Sequence, residues 1–384
     1  MSGQHRIESI DYVRGIVMVL MALDHVRDFF SSSAIAPDYT APAAIFLTRW
    51  ITHFCAPTFV FLAGISAFLY GKKVASIHSL SKFLFWRGTL LVLLEVTIVR
   101  MGWTFHPGFE FILLQVIWAI GISMVLLSGF VWLPIWVTGI SGLVMILGHN
   151  LLDGIHPTHF ERIGWIWNLL HQPGVILYDA GTIIYVAYPL IPWIGVMLGG
   201  YCFGLIMTTT SDRRQRFLFI IGPGMLLLFF ILRYYFSYGD PFKWFAHDSI
   251  IKSVFAFMDC TKYPPSLEFL LMTIGPMIIV LAILQNYRGK LMEFLKTFGR
   301  APLLFYLIHL PLIHGVAVIL EMIREHDAQW LFQGFPPSAK PPYYGYAIHW
   351  VYLIWILIII VMYPICRFLS SKKHKSRSQW ASYF

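Results

Sequence analysis

Long apolar stretches are the feature that most constrains this fold. A helix needs about 20 mostly apolar residues to cross the hydrocarbon core of a bilayer. Of the chain's 384 residues, 58% are hydrophobic and only 12% are charged, against roughly 25% charged in soluble domains. We therefore predict an all-α polytopic membrane helical bundle with about ten transmembrane helices. The predicted spans are 10–30, 44–70, 83–101, 109–128, 130–149, 182–206, 216–237, 265–285, 298–322 and 345–368.

The distribution of basic residues predicts the orientation of the helices. Lys and Arg are concentrated in alternate loops, which the positive-inside rule assigns to the cytoplasm. Both ends of the chain then lie in the cytoplasm, with residues 1–384 forming a single membrane domain and 369–384 a basic cytoplasmic tail. The net charge of +9 is spread over short loops at one face, so we expect no nucleic acid partner. The partner we expect first is the lipid bilayer.

Ionisable side chains within the first apolar segment indicate a buried polar site. Each such group costs about 3 kcal/mol or more in hydrocarbon unless it faces a cavity or a partner. At 100° per residue, five charged or titratable side chains share an arc of about 140°; they are Asp11, Arg14, Asp24, His25 and Asp28. Helix rise puts Arg14 near the inner face and His25 about 16 Å further out.

Two other segments bring similar groups to a comparable depth. Arg49 and His53 are four residues apart, so they share one helical face, and His309 lies near the middle of the ninth segment. We expect Asp24, His25, Arg49 and His53 to form a catalytic group. The alternative is that these side chains serve packing, because a lone buried histidine is usually a hydrogen-bonded core group.

The outer loops contain histidines and aromatic residues. Their aromatic side chains could anchor the protein at the membrane interface or cap a cavity that opens outward. His149, His156 and His159 with Asp153 have the residue types of a metal site. Their spacing matches no sharp signature, so we expect no metal.

Four strings in chain order resemble a known family: RIESIDYVRGIVMVLMALDHVRDFF, HFCAPTFVFLAGISAF, TKYPPSLEFLLMTIGP and FGRAPLLFYLIHLPLIH. The chain resembles the heparan-α-glucosaminide N-acetyltransferase catalytic-domain-like family of transmembrane acyltransferases, and we expect it to belong to the bacterial branch. The resemblance implies that acetyl-CoA is used from the cytosolic side and that the acetyl group ends on an amine across the membrane. It also implies that a histidine is the key catalytic group.

The histidines of this chain differ in position from that of the eukaryotic enzyme. The enzyme carries its histidine in the loop between the first two helices, whereas no histidine occurs here between Ser31 and Trp50. Instead this chain has Asp24–His25 where the eukaryotic enzyme has a neutral polar residue. It has His53 where that enzyme has an acidic residue. The catalytic histidine is therefore not carried over by position.

The chemistry of acyl transfer suggests a role for each candidate residue. His25 or His53 would take the acceptor proton, because a neutral imidazole is a suitable base near pH 7; transfer through an acetyl-histidine is the competing mechanism. Asp24 would orient the imidazole, and Arg49 would stabilise the oxyanion or hold an anionic acceptor. We expect acyl-CoA to contact Arg14, Lys72, Lys73, Arg87, Arg300 and His309. We expect the acceptor, an extracytoplasmic sugar or glycan amine or hydroxyl, to contact Asp28, Lys262, Tyr263 and Glu268.

Two other classes of function are compatible with buried charges. A proton-coupled secondary transporter would use buried Asp, Arg and His groups, although the sequence contains no inverted repeat. A non-catalytic membrane subunit of an envelope-assembly complex is the other alternative. We expect a multi-pass protein of the bacterial inner membrane that could form a homo-oligomer.

Overall fold

The computed structural model describes residues 7–32, 39–179, 181–235, 238–324, 327–333, 340–341 and 344–375, with the side chains of 179 and 369–375 excepted. The predicted basic tail, 369–384, therefore lies outside the described side chains. The α-helices are α1 (Glu8–Phe30), α2 (Ala43–Thr52), α3 (Cys55–Gly71), α4 (Ile77–Leu94), α5 (Arg100–Thr104), α6 (Val116–Phe130), α7 (Ile135–Gly148), α8 (Gly164–Leu170), α9 (Leu190–Met207), α10 (Ser211–Tyr235), α11 (Ile250–Met258), α12 (Leu267–Leu284), α13 (Lys290–Gly299), α14 (Pro302–Ile323) and α15 (Ile348–Lys375). The strands are β1 (Phe111–Leu114), β2 (Gly174–Asp179) and β3 (Thr182–Val186).

The architecture is an all-α membrane bundle, as the sequence predicts. Among the described residues, seven helices are long and apolar enough to cross a bilayer: Ala43–Gly71, which joins α2 and α3, and Ile135–Leu152, Leu190–Met207, Ser211–Tyr235, Leu267–Leu284, Pro302–Ile323 and Ile348–Phe368. Each of the ten predicted spans contains a helix, but the count of ten and the orientation stay predictions. Below, "inner" and "outer" follow the predicted orientation.

Two predicted spans begin too early. Residues 111–114 and 182–186 are strands rather than helix, and α6 and α9 begin only after them. β3 pairs in parallel with β1 and antiparallel with β2, which forms a three-stranded sheet in the order β1-β3-β2. Short apolar strands beside apolar helices cannot be separated from them by periodicity alone.

Glycines permit close contact between helices around the bundle core. A Cβ atom on Gly64 of α3 would overlap the carbonyl oxygen of Met197 on α9, and one on Gly200 would overlap that of Phe61. In the same way Gly299 of α13 lies against the carbonyl of Asp11 on α1. Small residues are typical of membrane helix interfaces, where close backbone approach increases packing contacts.

Glu95 caps a neighbouring helix from within the bundle. Its side chain is 1% exposed, and its two oxygens accept the backbone N–H groups of Gln115, at 3.2 Å, and Trp118, at 3.1 Å. These donors lie at the start of α6, where the first N–H groups have no partner within the helix. Glu95 begins the π-helical turn Glu95–Val99 that joins α4 to α5. The carboxylate therefore fixes the entry of α6 against that turn.

Candidate active site

A cavity of about 300 Å³ lies among five helices of the bundle. Its walls come from α1, α3, α4, α6 and the start of α14, so it is enclosed mainly by apolar side chains. Arginines stand at the inner end, and Tyr306 on α14 forms part of the wall. The lining residues include Arg14, Phe59, Ala63, Ser66, Tyr70, Arg87, Ile120, Arg300 and Tyr306.

Arg14 stands between this cavity and a second one. Its guanidinium donates to Ser66 Oγ at 2.8 Å and to the carbonyl of Gly299 at 3.2 Å, and it lies 3.4 Å from Asp11. The second cavity, of about 390 Å³, shares Arg14, Ser66 and Tyr70 with the first. Its further lining includes Lys73, Thr208, Thr209 and Arg214. Cationic and hydroxyl groups of this kind suit phosphate oxygens.

The predicted donor residues divide between these cavities and the surface. Arg87 and Arg300 line the first cavity, and Lys73 lines the second. Arg300 also lies 3.9 Å from Asp11. Lys72 is exposed and lies over the ring of Phe68, at 5.3 Å, and it lines neither of these cavities. The two cavities thus bring together Arg14, Lys73, Arg87 and Arg300 without Lys72.

Two buried histidines from α1 and α14 form a direct hydrogen bond. His25 Nδ1 and His309 Nε2 are 2.8 Å apart, and His309 Nδ1 is 2.8 Å from the carbonyl oxygen of Phe305. A carbonyl only accepts, so His309 Nδ1 carries the proton and its Nε2 is an acceptor when the ring is neutral. Burial in an apolar setting favours that neutral form. His25 therefore donates from Nδ1, which leaves its Nε2 with a free lone pair.

Aromatic rings connect this histidine pair to the first cavity. Tyr306 contacts both imidazoles, with ring centroids 6.1 Å from His25 and 5.5 Å from His309. Trp103 packs edge-on against His25 at 5.1 Å. Tyr306 also lines the cavity, so this one side chain contacts both the cavity and the His25–His309 pair.

The carboxylate of Asp24 is engaged by groups other than His25. It accepts from Thr52 Oγ1 and lies 2.8 Å from the guanidinium of Arg27, which also pairs with Asp28. In the structure the hydrogen-bond partner of the His25 ring is thus His309, whereas the sequence predicts Asp24. Neighbouring residues point about 100° apart on a helix, so adjacency in sequence did not place Asp24 against the ring.

A group of charged side chains surrounds this position at the outer end of α1. Lys262 and Tyr263 precede α12, the Lys262 ammonium lies 5.2 Å from the Tyr263 ring centre, and the two side chains are hydrogen-bonded. Burial lowers the pKa of Lys262, but interaction with Tyr263 and Asp24 outweighs it, so the pKa lies above its ordinary value. Lys262 and Asp24 both act electrostatically on His25, and Arg49 interacts with Lys262 and Asp24. We call Asp24, Arg27, Asp28, Arg49 and Lys262 the outer charged group.

The His53 side chain lies in the same region, and no described residue forms a hydrogen bond with it. Its side chain is 3% exposed, and neither ring nitrogen has a partner among the residues that the structure describes. The centroid of its ring lies 5.4 Å from that of Phe269, and the ring interacts electrostatically with Lys262 and Arg49. His25 and His53 thus lie near the same charges, but among the described residues only His25 has a partner that fixes its tautomer.

Comparison with protein-family models gives a match over residues 6–233 to the model described as heparan-alpha-glucosaminide N-acetyltransferase, catalytic. The match covers more than half of the chain. The chain belongs to this family. Comparison with curated proteins gives no match.

Membership in this acetyltransferase family confirms the resemblance drawn from the sequence. The family implies transmembrane acetyltransferase activity with acetyl-CoA as donor. The apolar helices agree with an integral membrane protein of that kind. The matched residues include α1, with Arg14 and His25, and the α2–α3 segment, with His53, and they end at Arg233.

Glu268 differs in its surroundings from the other predicted acceptor residues. Its carboxylate forms a buried ion pair with Arg233 at 2.9 Å. Arg233 also donates to the backbone carbonyls of Phe242, Ala256, Phe257 and Asp259. The Arg233–Glu268 pair therefore holds the segment before α12 in place.

Sequence reasoning missed three residues at the site. Arg27 links Asp24 and Asp28, which its spacing along α1 would have revealed. Tyr306 contacts both imidazoles, and no local signal in the sequence indicates that role. Lys340, which donates to the carbonyl of Ser31, interacts with Asp28 and Arg27; burial lowers the pKa of Lys340 to about 8.

Proposed function

We propose that this protein transfers an acetyl group from cytosolic acetyl-CoA to an amine or hydroxyl of an extracytoplasmic glycan or sugar-containing acceptor. The bacterial inner membrane is its proposed location. The observation that carries the proposal is the His25–His309 pair, which lies behind Tyr306 at the wall of a cavity with an arginine-lined inner end. A thioester donor with a charged nucleotide end and a long uncharged arm matches that distribution of polarity.

In the proposed donor site, Arg14, Arg87, Arg300 and Lys73 hold the CoA phosphates at the inner end. The arginines present planar groups that suit phosphate oxygens. The pantetheine arm occupies the apolar cavity between α3, α4 and α6. Its acetyl end reaches the Tyr306 wall, and Arg14 and His25 are about 16 Å apart by helix rise. Lys72 takes no part, since it lines neither cavity.

The proposed chemical step uses His25 Nε2 as general base. The acceptor amine or hydroxyl loses its proton to Nε2 as its nitrogen or oxygen attacks the thioester carbonyl carbon. Lys262 or Arg49 stabilises the oxyanion that forms. The tetrahedral intermediate then expels the CoA sulfur, which takes the proton from His25 and leaves as CoASH. His309 keeps the His25 Nδ1 proton in place throughout.

The outer charged group and Tyr263 form the proposed acceptor site. Asp28 and Lys262 supply an acceptor and a donor for sugar hydroxyls, and Tyr263 is 40% exposed, which leaves its ring available to stack on a sugar. Glu268 is assigned instead to anchoring the segment before α12 through Arg233. His53 lies beside the proposed acceptor site and takes no part in the proposed step.

A sided reconstitution tests the proposal. Proteoliposomes receive acetyl-labelled acetyl-CoA on the inner face and glucosamine on the outer face, and both CoASH release and labelled acceptor are measured. The wild type should yield labelled acceptor, and His25→Ala should reduce the rate by about 100-fold or more while acetyl-CoA binding persists. The control His349→Ala changes an exposed histidine and should leave the rate unchanged.

Two results would contradict the proposal. Labelled acceptor formed by His25→Ala at more than a tenth of the wild-type rate would remove His25 as the base. Movement of unmodified glucosamine across the membrane, driven by a pH gradient and without acetylation, would favour the proton-coupled transporter.

A further inference from the structure

A second cluster of titratable side chains lies at the outer end of α7, and the proposed transfer reaction does not use it. The 3₁₀ segment His149–Leu152 follows α7, and Asp153 follows that segment. His171 ends α8 eighteen residues later in the chain. One ligand atom each from His149, Asp153 and His171 lies within 4.8 Å of the other two.

The two imidazoles of this cluster are buried with unused nitrogens. His149 is 1% exposed and His171 0%. Neither nitrogen of His149 has a hydrogen-bond partner in the part of the chain that the structure describes, and neither does Nδ1 of His171. Buried polar groups left without partners are costly, so most native examples pair with a group, a water or an ion. A His149 nitrogen without a partner among the described residues, beside the Asp153–His171 pair, is thus available to a metal ion.

The surrounding contacts orient the carboxylate toward the histidines. Asp153 Oδ1 lies 3.1 Å from His171 Nε2, while Asp153 Oδ2 accepts from Asn150 at 2.9 Å. Asn150 in turn accepts the backbone N–H of Leu267 at 3.0 Å. Hydrogen bonds of this kind orient the ligands of metal sites.

We propose that His149, Asp153 and His171 bind a zinc ion at the outer face of the protein. Two neutral imidazoles and one carboxylate are ligands that Zn²⁺ accepts at about 2.0–2.2 Å. A tetrahedron with such bonds separates its ligand atoms by about 3.3 Å, close to the 3.1 Å between Asp153 and His171. The ligand atom of His149 lies within 4.8 Å of the other two, so an approach of at most about 1.5 Å would complete three protein ligands.

The ion would add a coordination link between two segments that hydrogen bonds from Trp167 and Gln172 to Ile155 already join. It would connect the end of α7 to the end of α8, and through Asn150 it would be coupled to the start of α12. Asp153 also lines an outer cavity of about 260 Å³, from which water can fill the fourth position. The sequence predicts no metal, and of the residues considered there by type, His156 and His159 contact each other and are exposed, whereas His171 joins the cluster.

Metal analysis of the purified full-length protein tests the proposal. Tag-free protein in detergent is stripped with EDTA, reloaded with Zn²⁺ and titrated against a chromogenic zinc chelator. The wild type should bind one zinc ion per chain, and His149→Asn or Asp153→Asn should weaken binding at least 100-fold. The matched controls His156→Gln and His159→Gln, which change exposed histidines of the same loop, should bind as the wild type does.

Three outcomes would overturn the zinc site. The first is a wild-type protein that retains no tightly bound zinc after reloading. The second is equal affinity in His149→Asn and wild type, and the third is an equal loss in the two controls. If His149→Asn fails to elute as a folded monodisperse species, two measurements on the wild type test the site instead: the zinc stoichiometry, and the visible spectrum after Co²⁺ replaces Zn²⁺. Four-coordinate Co²⁺ absorbs visible light strongly and the octahedral aqueous ion does not, so a weak spectrum would overturn the site.

Discussion

Replacement of His309 tests the most specific feature of the proposed mechanism. His309→Leu removes the acceptor for the His25 Nδ1 proton, a 2.8 Å hydrogen bond between buried groups. A buried donor left unsatisfied costs about 1–3 kcal/mol. We expect this cost to raise the activation free energy of the step in which His25 acts. Because about 1.36 kcal/mol corresponds to a tenfold change in rate, kcat should fall about 5- to 150-fold.

The assay is steady-state acetyl transfer in proteoliposomes, with acetyl-CoA binding measured separately. KM for acetyl-CoA should change little, because the arginine-lined end of the cavity is unaltered. His309→Gln offers an amide oxygen as a new acceptor and should recover part of the lost rate. Turnover of His309→Leu within twofold of wild type, with the protein folded, would show that His309 does not position His25.

Other predictions follow from the contacts around the cavity and the outer loops. Glu95→Ala leaves two N–H groups at the start of α6 without acceptors, and thermal unfolding in detergent should show a loss of about 1–3 kcal/mol for each. Arg300→Ala should weaken acetyl-CoA binding about tenfold, from loss of one charged contact, whereas Lys72→Ala should not change it; equal effects in a binding titration would contradict the proposed donor site. Arg233→Ala leaves Glu268 unpaired and should destabilise the protein by about 3–5 kcal/mol. Arg233→Ala combined with Glu268→Ala should cost less in thermal unfolding than the sum of the two single variants, and an additive double variant would contradict the pairing.

The helical part of the fold could be predicted from the sequence because the bilayer imposes length and polarity together. Each predicted apolar span contains a helix. The sheet could not be predicted, because β1 and β3 are four and five residues long and lie within apolar runs that also suit helices. Their pairing joins residues about 70 positions apart along the chain, which local periodicity does not report.

Helical geometry predicted the depth of His25 but not its partner. Counting residues along α1 put His25 in the outer half, and the same count put His309 near mid-membrane. Whether the His25 and His309 rings meet depends on how α1 and α14 pack. That packing cannot be read from a single sequence. Asp24, the nearest carboxylate in sequence, bonds Thr52 and Arg27 instead.

The outer metal cluster illustrates the same limit. Residue type indicated His149 and Asp153, but the third histidine lies beyond two short helices. Only the fold brings His171 to 3.1 Å from Asp153. Spacing signatures identify metal sites when the ligands lie on one or two turns, and this cluster has no such spacing.

A structure of the protein with a non-reactive thioether analogue of acetyl-CoA tests the central claim most directly. The account predicts the nucleotide phosphates beside Arg14 and Arg300, the pantetheine arm in the cavity, and the carbonyl at Tyr306 within reach of His25. Nucleotide density at the outer face, or an analogue bound outside this cavity with its carbonyl far from His25, would contradict it.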